Sequence, residues 1–347
     1  MLKKLALAGA SLFVVFAGAE IIARLSEPGP FSFFDHSPNE PDPGLDHVHR
    51  PGFVGRWDGT WYEINSRGMR GPDWTPTFSE KEFRILALGD SCTFGKGVLE
   101  SECWPRQLET LMRGRAHAEV HVANAGVNGY SGRQYLEVLR RVGPELKPQL
   151  VLVGYNLNDF PNVVQSVDRA VFQGKNSLRA KLPTGLRDEL GRLALFRWMR
   201  ASYYEMNRER DWANAEKLAR ESTGAGPKAT SKAAQRFEDE KQRLKQLVDE
   251  SRELGAKVAI FLLPYESQVY LDVFDDTPVQ SLRAVCDELG VTFVDLAEPF
   301  RARARASDPP RLFLRGDRYH PTAEGYRMVA DSVVHVLREQ GWLPVSH

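Results

Sequence analysis

Cysteine is scarce in this chain, and neither sign of charge is in excess. Cys92, Cys103 and Cys286 are the only three cysteines among 347 residues, too few and too scattered for a disulfide framework or a thiolate zinc site. One bridge at most can form, and Cys92 with Cys103 is the pair it would join. Lysine plus arginine and aspartate plus glutamate number 46 each, so the formal net charge is zero. Without a basic excess, nucleic acid is not an expected partner. Internal repeats, low-complexity tracts and a His-Glu-x-x-His zinc motif are missing too. His117 and His121 flank a strand-like stretch with no carboxylate partner in view, and His47-x-His49 falls in a loop, so these read as ordinary polar residues. No metal and no cofactor is expected, and any polar partner must be met by a local site.

Long apolar runs are also rare, with one exception. Behind Lys3 and Lys4 the stretch "LALAGASLFVVFAGA" carries no charge from Leu5 to Ala19. A basic start followed by an apolar run signals export, with the lysines left inside. Tolerating Glu20 near the interface lengthens the helix to about twenty residues, enough to cross the hydrocarbon as an uncleaved anchor. The "AGA" before Glu20 has the small-x-small form of a cleavage site, which would make the segment a removable signal peptide. Either way residues 1–27 form a signal anchor or signal peptide, and the rest of the chain lies outside the cytoplasm, periplasmic or extracellular.

Residues 28–82 are rich in Pro, Gly, Asp, His and Trp, with short strand-like pieces such as "GTWYEINSRGMRG"; they read as a lead-in that decorates the main domain. The first strong strand is "FRILALG", followed by a helix from about Pro105 that puts Leu108, Leu111 and Met112 on one face. "EVHVANAG", helical "RQYLEVLRRVG" and "LVLVGYN" come next. Then "FEDEKQRLKQLVDESRELG" delivers "KVAIFLLP", and "SLRAVCDELG" delivers "VTFVDL". Helices that stop at glycine before continuous apolar strands mark βα units of a parallel sheet buried on both faces. The expected fold class is α/β, a three-layer α/β/α sandwich over residues 83–343. Within it, residues 160–236 break the alternation as a charged, mainly helical insertion. Its aromatic segment "LFRWMRASYYEMNRERDW" either packs on the domain as a helical stripe or serves as a lid presenting Trp198, Tyr203, Tyr204 or Met206 to a groove.

In such sheets chemistry gathers at the carboxyl ends of the strands, where "GDS", "NAG" and "GYNLND" all fall. The stretch "LALGDSCTFGKGV" is not a phosphate loop: five residues separate Gly89 from Gly95, and Lys96 is followed by Gly97 rather than a hydroxyl residue. Nor is it a Gly-x-Ser-x-Gly elbow, because Ser91 is followed by Cys92 and Thr93. What remains is a serine at a strand tip, which as a nucleophile needs a base, an orienting group and an oxyanion hole. Asp317 and His320, three apart before the last helix, can supply the first two, a carboxylate holding one imidazole nitrogen and leaving the other free. Gly126, Gly129 and Gly132 offer close backbone approach, and Asn156 and Asn158 offer side-chain amide donors.

In chain order, Gly-Asp-Ser after a first strand, a glycine loop after a second, Asn-Asp after a third and Asp-x-x-His before the last helix resemble the SGNH hydrolases, the GDSL esterase and lipase family. The resemblance runs from about residue 83 to 340, the insertion excepted. It implies a flavodoxin-like sheet and a carboxylic ester hydrolase. By motif match it makes Ser91 the nucleophile and one oxyanion donor, gives the other donor roles to Gly129 and Asn158, and completes a triad with Asp317 and His320. Two positions depart from the family pattern. Gly154 stands four before Asn158 where Gly-x-Asn-Asp is usual, and Cys92 replaces the leucine after the serine. The apolar N-terminus followed by "INSRGMRG" is similar to an exported bacterial subgroup, some of whose members act on acyl groups of cell-surface polysaccharide. The implied partners are therefore an ester-bearing small molecule or glycan, and the membrane through the N-terminal segment. An O-acyltransferase of polysaccharide modification and a non-catalytic glycan-binding protein are the alternatives.

Overall fold

Alternation along five apolar strands decides the architecture. The computed structural model describes residues 1–74, 82–113, 119–156, 183–222, 231–273 and 276–343. Two small hairpins open it: β1 (Asn39–Asp42) with β2 (Asp46–His49), and β3 (Val54–Trp57) with β4 (Thr60–Glu63). The central sheet follows as β5 (Glu82–Gly89), β6 (Glu119–Asn124), β7 (Leu150–Tyr155), β8 (Lys257–Leu262) and β9 (Thr292–Asp295), all parallel in the order β6-β5-β7-β8-β9. Side chains on a strand point alternately to its two faces. Leu86, Leu88, Val151, Val153, Ile260 and Leu262 accordingly enter one core, while Ile85, Ala87, Leu150, Leu152, Ala259 and Phe261 enter the other.

Helices cover both faces. Against the first core lie α4 (Gly132–Leu146), α7 (Ser231–Glu253) and α9 (Thr277–Leu289), through Leu136, Leu139, Leu244, Leu247 and Leu282. Against the second lie α3 (Trp104–Arg113), α10 (Ala297–Ala304) and α11 (Ala323–Glu339), through Leu108, Met112, Phe300, Val329 and Val333. The three-layer α/β/α sandwich expected from the sequence is present. The order reverses between β5 and β7, the topological switch point at which open α/β sheets place their sites, and the pairing of Gly89 with Gly154 ends both strands side by side there.

Two local expectations need correction, and the bridge that the sequence allowed but did not demand does not form. The helix α4 does not stop at Gly143 but runs through Pro144 to Leu146, and Lys147, with φ +47°, takes the left-handed cap instead. A Cβ on Gly143 would stand 2.6 Å from Leu254 Cδ1, so a larger residue there would have to displace that side chain. The three cysteines are free and buried; Cys92 Sγ donates to the carbonyl of Tyr319 and Cys103 Sγ to that of Glu100. His47 and His49 belong to β2 rather than to a loop, and His49 is a core residue packed 4.4 Å from the Phe94 ring. Burial pushes its pKa down to about 3, so it is neutral in any working buffer.

The insertion is helical where it is described: α5 (Thr184–Gly191), the long α6 (Ala194–Ser222), and the start of α7, which crosses residue 236 without a break. The aromatic stripe on α6 does not pack as a unit. Trp212 stacks on Tyr270 and Tyr204 lies under the Arg318 guanidinium, 4.0 Å away, but Trp198, Tyr203 and Met206 are exposed.

Candidate active site

Ser91 is the first residue of a four-residue helix, α2 (Ser91–Phe94), set directly on the end of β5. Glycines make that placement possible. A Cβ on Gly89 would stand 2.0 Å from Thr93 Oγ1, one on Gly154 2.2 Å from the same atom, and one on Gly126 2.3 Å from the Phe94 nitrogen. Three neighbouring segments thus close around the buried Thr93, and a side chain on any of them would push the serine turn away from the sheet.

Asp90 caps the turn. Its Oδ1 accepts from the Cys92 N–H at 2.8 Å and from Asn156 Nδ2 at 2.7 Å, and its Oδ2 lies 3.5 Å from Ser91 Oγ. Burial raises the Asp90 pKa against the pull of these donors and of His320. Asn156 is fully buried and its amide nitrogen is engaged by Asp90.

The last link comes from the loop before α11. Phe313 bridges to Pro321, Leu314 N–H donates to His320 O, and Thr322 caps α11 by accepting from Gly325 N–H. Inside this loop Asp317 Oδ1 accepts the N–H groups of Tyr319 and His320, at 2.8 and 3.0 Å. Its Oδ2 stands 2.7 Å from His320 Nδ1, and His320 Nε2 stands 2.8 Å from Ser91 Oγ. Asp317, His320 and Ser91 therefore form one unbroken hydrogen-bonded line across 229 positions of sequence. Burial opposes ionisation of Asp317, but the imidazole and the two N–H donors outweigh it and hold the carboxyl below the usual carboxylate range. A carboxylate fixed on Nδ1 leaves Nε2 to accept a proton from the serine.

Of the other residues singled out in the sequence, Gly129 lies in the loop after β6 with φ +79° and open space where a Cβ would be. Asn158 lies outside the described residues, as does His117. His121 does have carboxylates beside it: its Nε2 is 3.7 Å from Glu119 Oε1, and Glu82 completes a cluster whose ligand atoms lie within 4.8 Å. These are the one described group of potential metal ligands, and they sit at the amino-terminal edge of the sheet, opposite Ser91.

The lead-in proves structural rather than decorative. Arg70, almost fully buried, donates to the carbonyls of Phe94, Gly95 and Val98, just where α2 ends, and its guanidinium stacks on the rings of Tyr62 and Phe94. His47 Nε2 meets Asn128 O at 2.9 Å while Tyr130 OH donates to His47 O, which ties the Gly129 loop to β2. Arg70 falls in "INSRGMRG" and His47 in His47-x-His49, but neither pattern shows what the side chain holds, because each acts through carbonyls far away along the chain.

Residues 87–328 match the sequence model of the GDSL-like lipase/acylhydrolase family. The chain belongs to that family. As a GDSL-like acylhydrolase it is a carboxylic ester hydrolase. Its fold is similar to those of solved structures. Among them are the esterase EstA from Pseudoalteromonas sp. (15% identity, 74% of this chain and 97% of that one, TM-score 0.42) and the lipase/acylhydrolase from Enterococcus faecalis (15%, 74% and 96%, TM-score 0.42). Another is the acetylxylan esterase Axe2 from Geobacillus stearothermophilus (16%, 78% and 99%, TM-score 0.43). No curated protein matches the chain.

One support of the loop that carries Asp317 and His320 titrates near neutrality. The backbone N–H of buried Glu266 donates to Arg318 O, and its carboxylate lies 3.1 Å from Arg208. Burial pushes its pKa up to about 7 from 4.5 despite Arg208. Because the folded state keeps this proton longer than the unfolded one, stability falls as pH rises between those two values. Glu266→Gln removes the loss. Denaturant unfolding should show the variant gaining on the parent from about pH 4.5 to 7.5, by up to ~3 kcal/mol at 1.4 kcal/mol per pKa unit. A stability difference that does not vary with pH would refute it.

Proposed function

We propose that this GDSL-like acylhydrolase cleaves acyl or acetyl esters through an acyl-enzyme on Ser91. The unbroken Ser91–His320–Asp317 line at the switch point carries the reading. As Ser91 Oγ bonds to the ester carbonyl carbon, His320 Nε2 takes its proton, and Asp317 stabilises the imidazolium formed. Negative charge moves to the carbonyl oxygen, where the Ser91 N–H, the Gly129 N–H and the Asn158 amide receive it. The alcohol leaves with the proton from His320. Water, deprotonated by the same imidazole, then releases the acyl group. The engagement of Asn156 by Asp90 supports Asn158 as the side-chain donor. Asn158→Ala should lower kcat roughly a hundredfold or more with little change in KM; an unchanged kcat would remove Asn158 from the site.

The apolar helix α1 (Leu2–Leu25) is long and apolar enough to cross a membrane. It supports an exported enzyme held at the membrane by residues 1–27, acting on esters of cell-surface carbohydrate. The deciding experiment is mass spectrometry of the protein after an activated phosphonate ester, with the adduct mapped. A single adduct on Ser91 supports the hydrolase; no adduct on folded protein would instead favour a glycan-binding role. Transfer of the acyl group to added sugar in competition with water would identify the O-acyltransferase.

A further inference from the structure

The membrane helix does not simply tether the domain; it is docked into it. Glu20, within α1, accepts the N–H groups of Ala194 and Leu195 at 2.9 and 2.8 Å, capping the amino terminus of α6 from outside. Arg24 pairs with Glu20 at 2.7 Å and donates to Ser32 O and Arg192 O. One turn further, Glu27 and Asp35 both hold Arg197, the neighbour of Trp198. The end of α1, the segment around Phe31–Phe34 and the first turns of α6 are therefore one joined surface.

Length then fixes the depth of that surface. From Leu5 to Ala19 a helix is only about 22 Å long at 1.5 Å per residue, short of the ~30 Å hydrocarbon core. Continuing to Leu25 brings it to about 31 Å, and Ile22 and Leu25 are 70% and 68% exposed, free to face lipid. Arg24 then lies at the outer end of the span and Glu20 about 7 Å inside it, and α6 begins at the level of Glu20.

The outward face of α6 matches that level. At 100° per residue Trp198, Met199, Tyr203 and Met206 share one face, while Ala201, Tyr204, Glu205 and Arg208 face the domain. Trp198 and Met206 are 50% and 78% exposed, as is Phe34 at 71% in the adjoining segment, and the exposed Arg192 and Arg200 flank them. An apolar and aromatic face edged with arginine is the composition of an interfacial helix.

We propose that this face of α6, together with Phe31–Phe34, lies in the headgroup region of the bilayer that α1 crosses, so that the hydrolase works flat against the membrane. The consequence for the site is direct. Arg315 lies 5.8 Å over the Trp198 ring, its Nη2 donates to Ser202 Oγ, and Gly316 abuts Ala201. The bilayer-facing helix thus touches the two residues that precede Asp317. The proposal rests on α1 being a membrane span, and the test separates the two.

The buried native cysteines leave single introduced cysteines free for nitroxide labelling. Met199→Cys, Met206→Cys, Val14→Cys on α1 and His335→Cys at an exposed position of α11 would each be labelled in the full chain. Each would be measured in nanodiscs of phosphatidylethanolamine and phosphatidylglycerol. The ratio of collisions with oxygen to collisions with a water-soluble nickel chelate should be several-fold higher at 199 and 206 than at 335. Ratios at 199 and 206 equal to that at 335, with position 14 in lipid, would overturn the proposal and leave the span intact. A water-like ratio at position 14 would overturn both. Spin–spin broadening at 206 that disappears on dilution with unlabelled chain would place a second copy on this face instead of lipid, and would also overturn it.

Discussion

Ser91→Ala should abolish hydrolysis of activated esters, with kcat/KM falling by about 10⁴-fold or more, while stability falls by no more than about 1 kcal/mol. The two halves of that expectation have separate causes. In the proposed mechanism Oγ is the atom that bonds to the acyl carbon, and nothing nearby replaces it: Asp90 is a buried cap, and Cys92 points to the Tyr319 carbonyl. Stability is spared because the hydroxyl is half-buried and its close partner is the His320 ring, which the Asp317 carboxylate still holds. Removing one such hydrogen bond costs about 1 kcal/mol. Initial rates with a short-chain activated ester and a denaturant melt on the same sample decide it. A pure Ser91→Ala protein that still hydrolyses at more than a few per cent of the parent rate would end the assignment of Ser91 as nucleophile.

Arg70→Met should be the most damaging change outside that line, costing about 3–5 kcal/mol of stability. The arginine is 3% exposed, and its guanidinium donates to three carbonyls from Phe94 to Val98, at 2.7 and 2.6 Å for the outer two. Methionine fills much of the volume but takes the guanidinium from Val98 O and leaves Phe94 O and Gly95 O only longer contacts, from Asn124 Nδ2 at 3.5 Å and the Val98 N–H at 3.4 Å, and the helix that presents Ser91 is only four residues long, with little of its own to hold it. Activity should fall along with stability, and Arg70→Lys should restore only part of both, since an ammonium cannot reach carbonyls in the fan that a guanidinium spans. The measurement is denaturant unfolding alongside ester turnover at a temperature where the variant is still folded. A loss below 1 kcal/mol would mean the lead-in merely covers the serine turn.

What could be read in advance divides along a physical line. Strands β5, β7 and β8 announced themselves because each holds a continuous apolar run of the kind a two-faced parallel sheet requires, and Gly290 capped α9 at φ +60° as its position foretold. Asp317 and His320 were legible as a pair because their contact is local, made across three residues in a turn. By contrast, the roles of Arg70, His47 and Glu20 were not legible. Each is an ordinary polar residue whose partners are backbone groups 24, 81 and 174 positions away, and a carbonyl or amide leaves no mark in the sequence.

The sequence by itself determined the layered α/β sandwich, the strand ends at which chemistry collects, and the residue types able to carry acyl transfer, because burial patterns and short-range spacings depend on neighbours in the chain. Only the tertiary structure decided that Ser91 meets His320, that Asn156 is engaged by Asp90, and that the lead-in and the apolar helix are built into the domain. Those are pairings between segments far apart in sequence. They are set by the closing of the sheet and the geometry of hydrogen bonds across it.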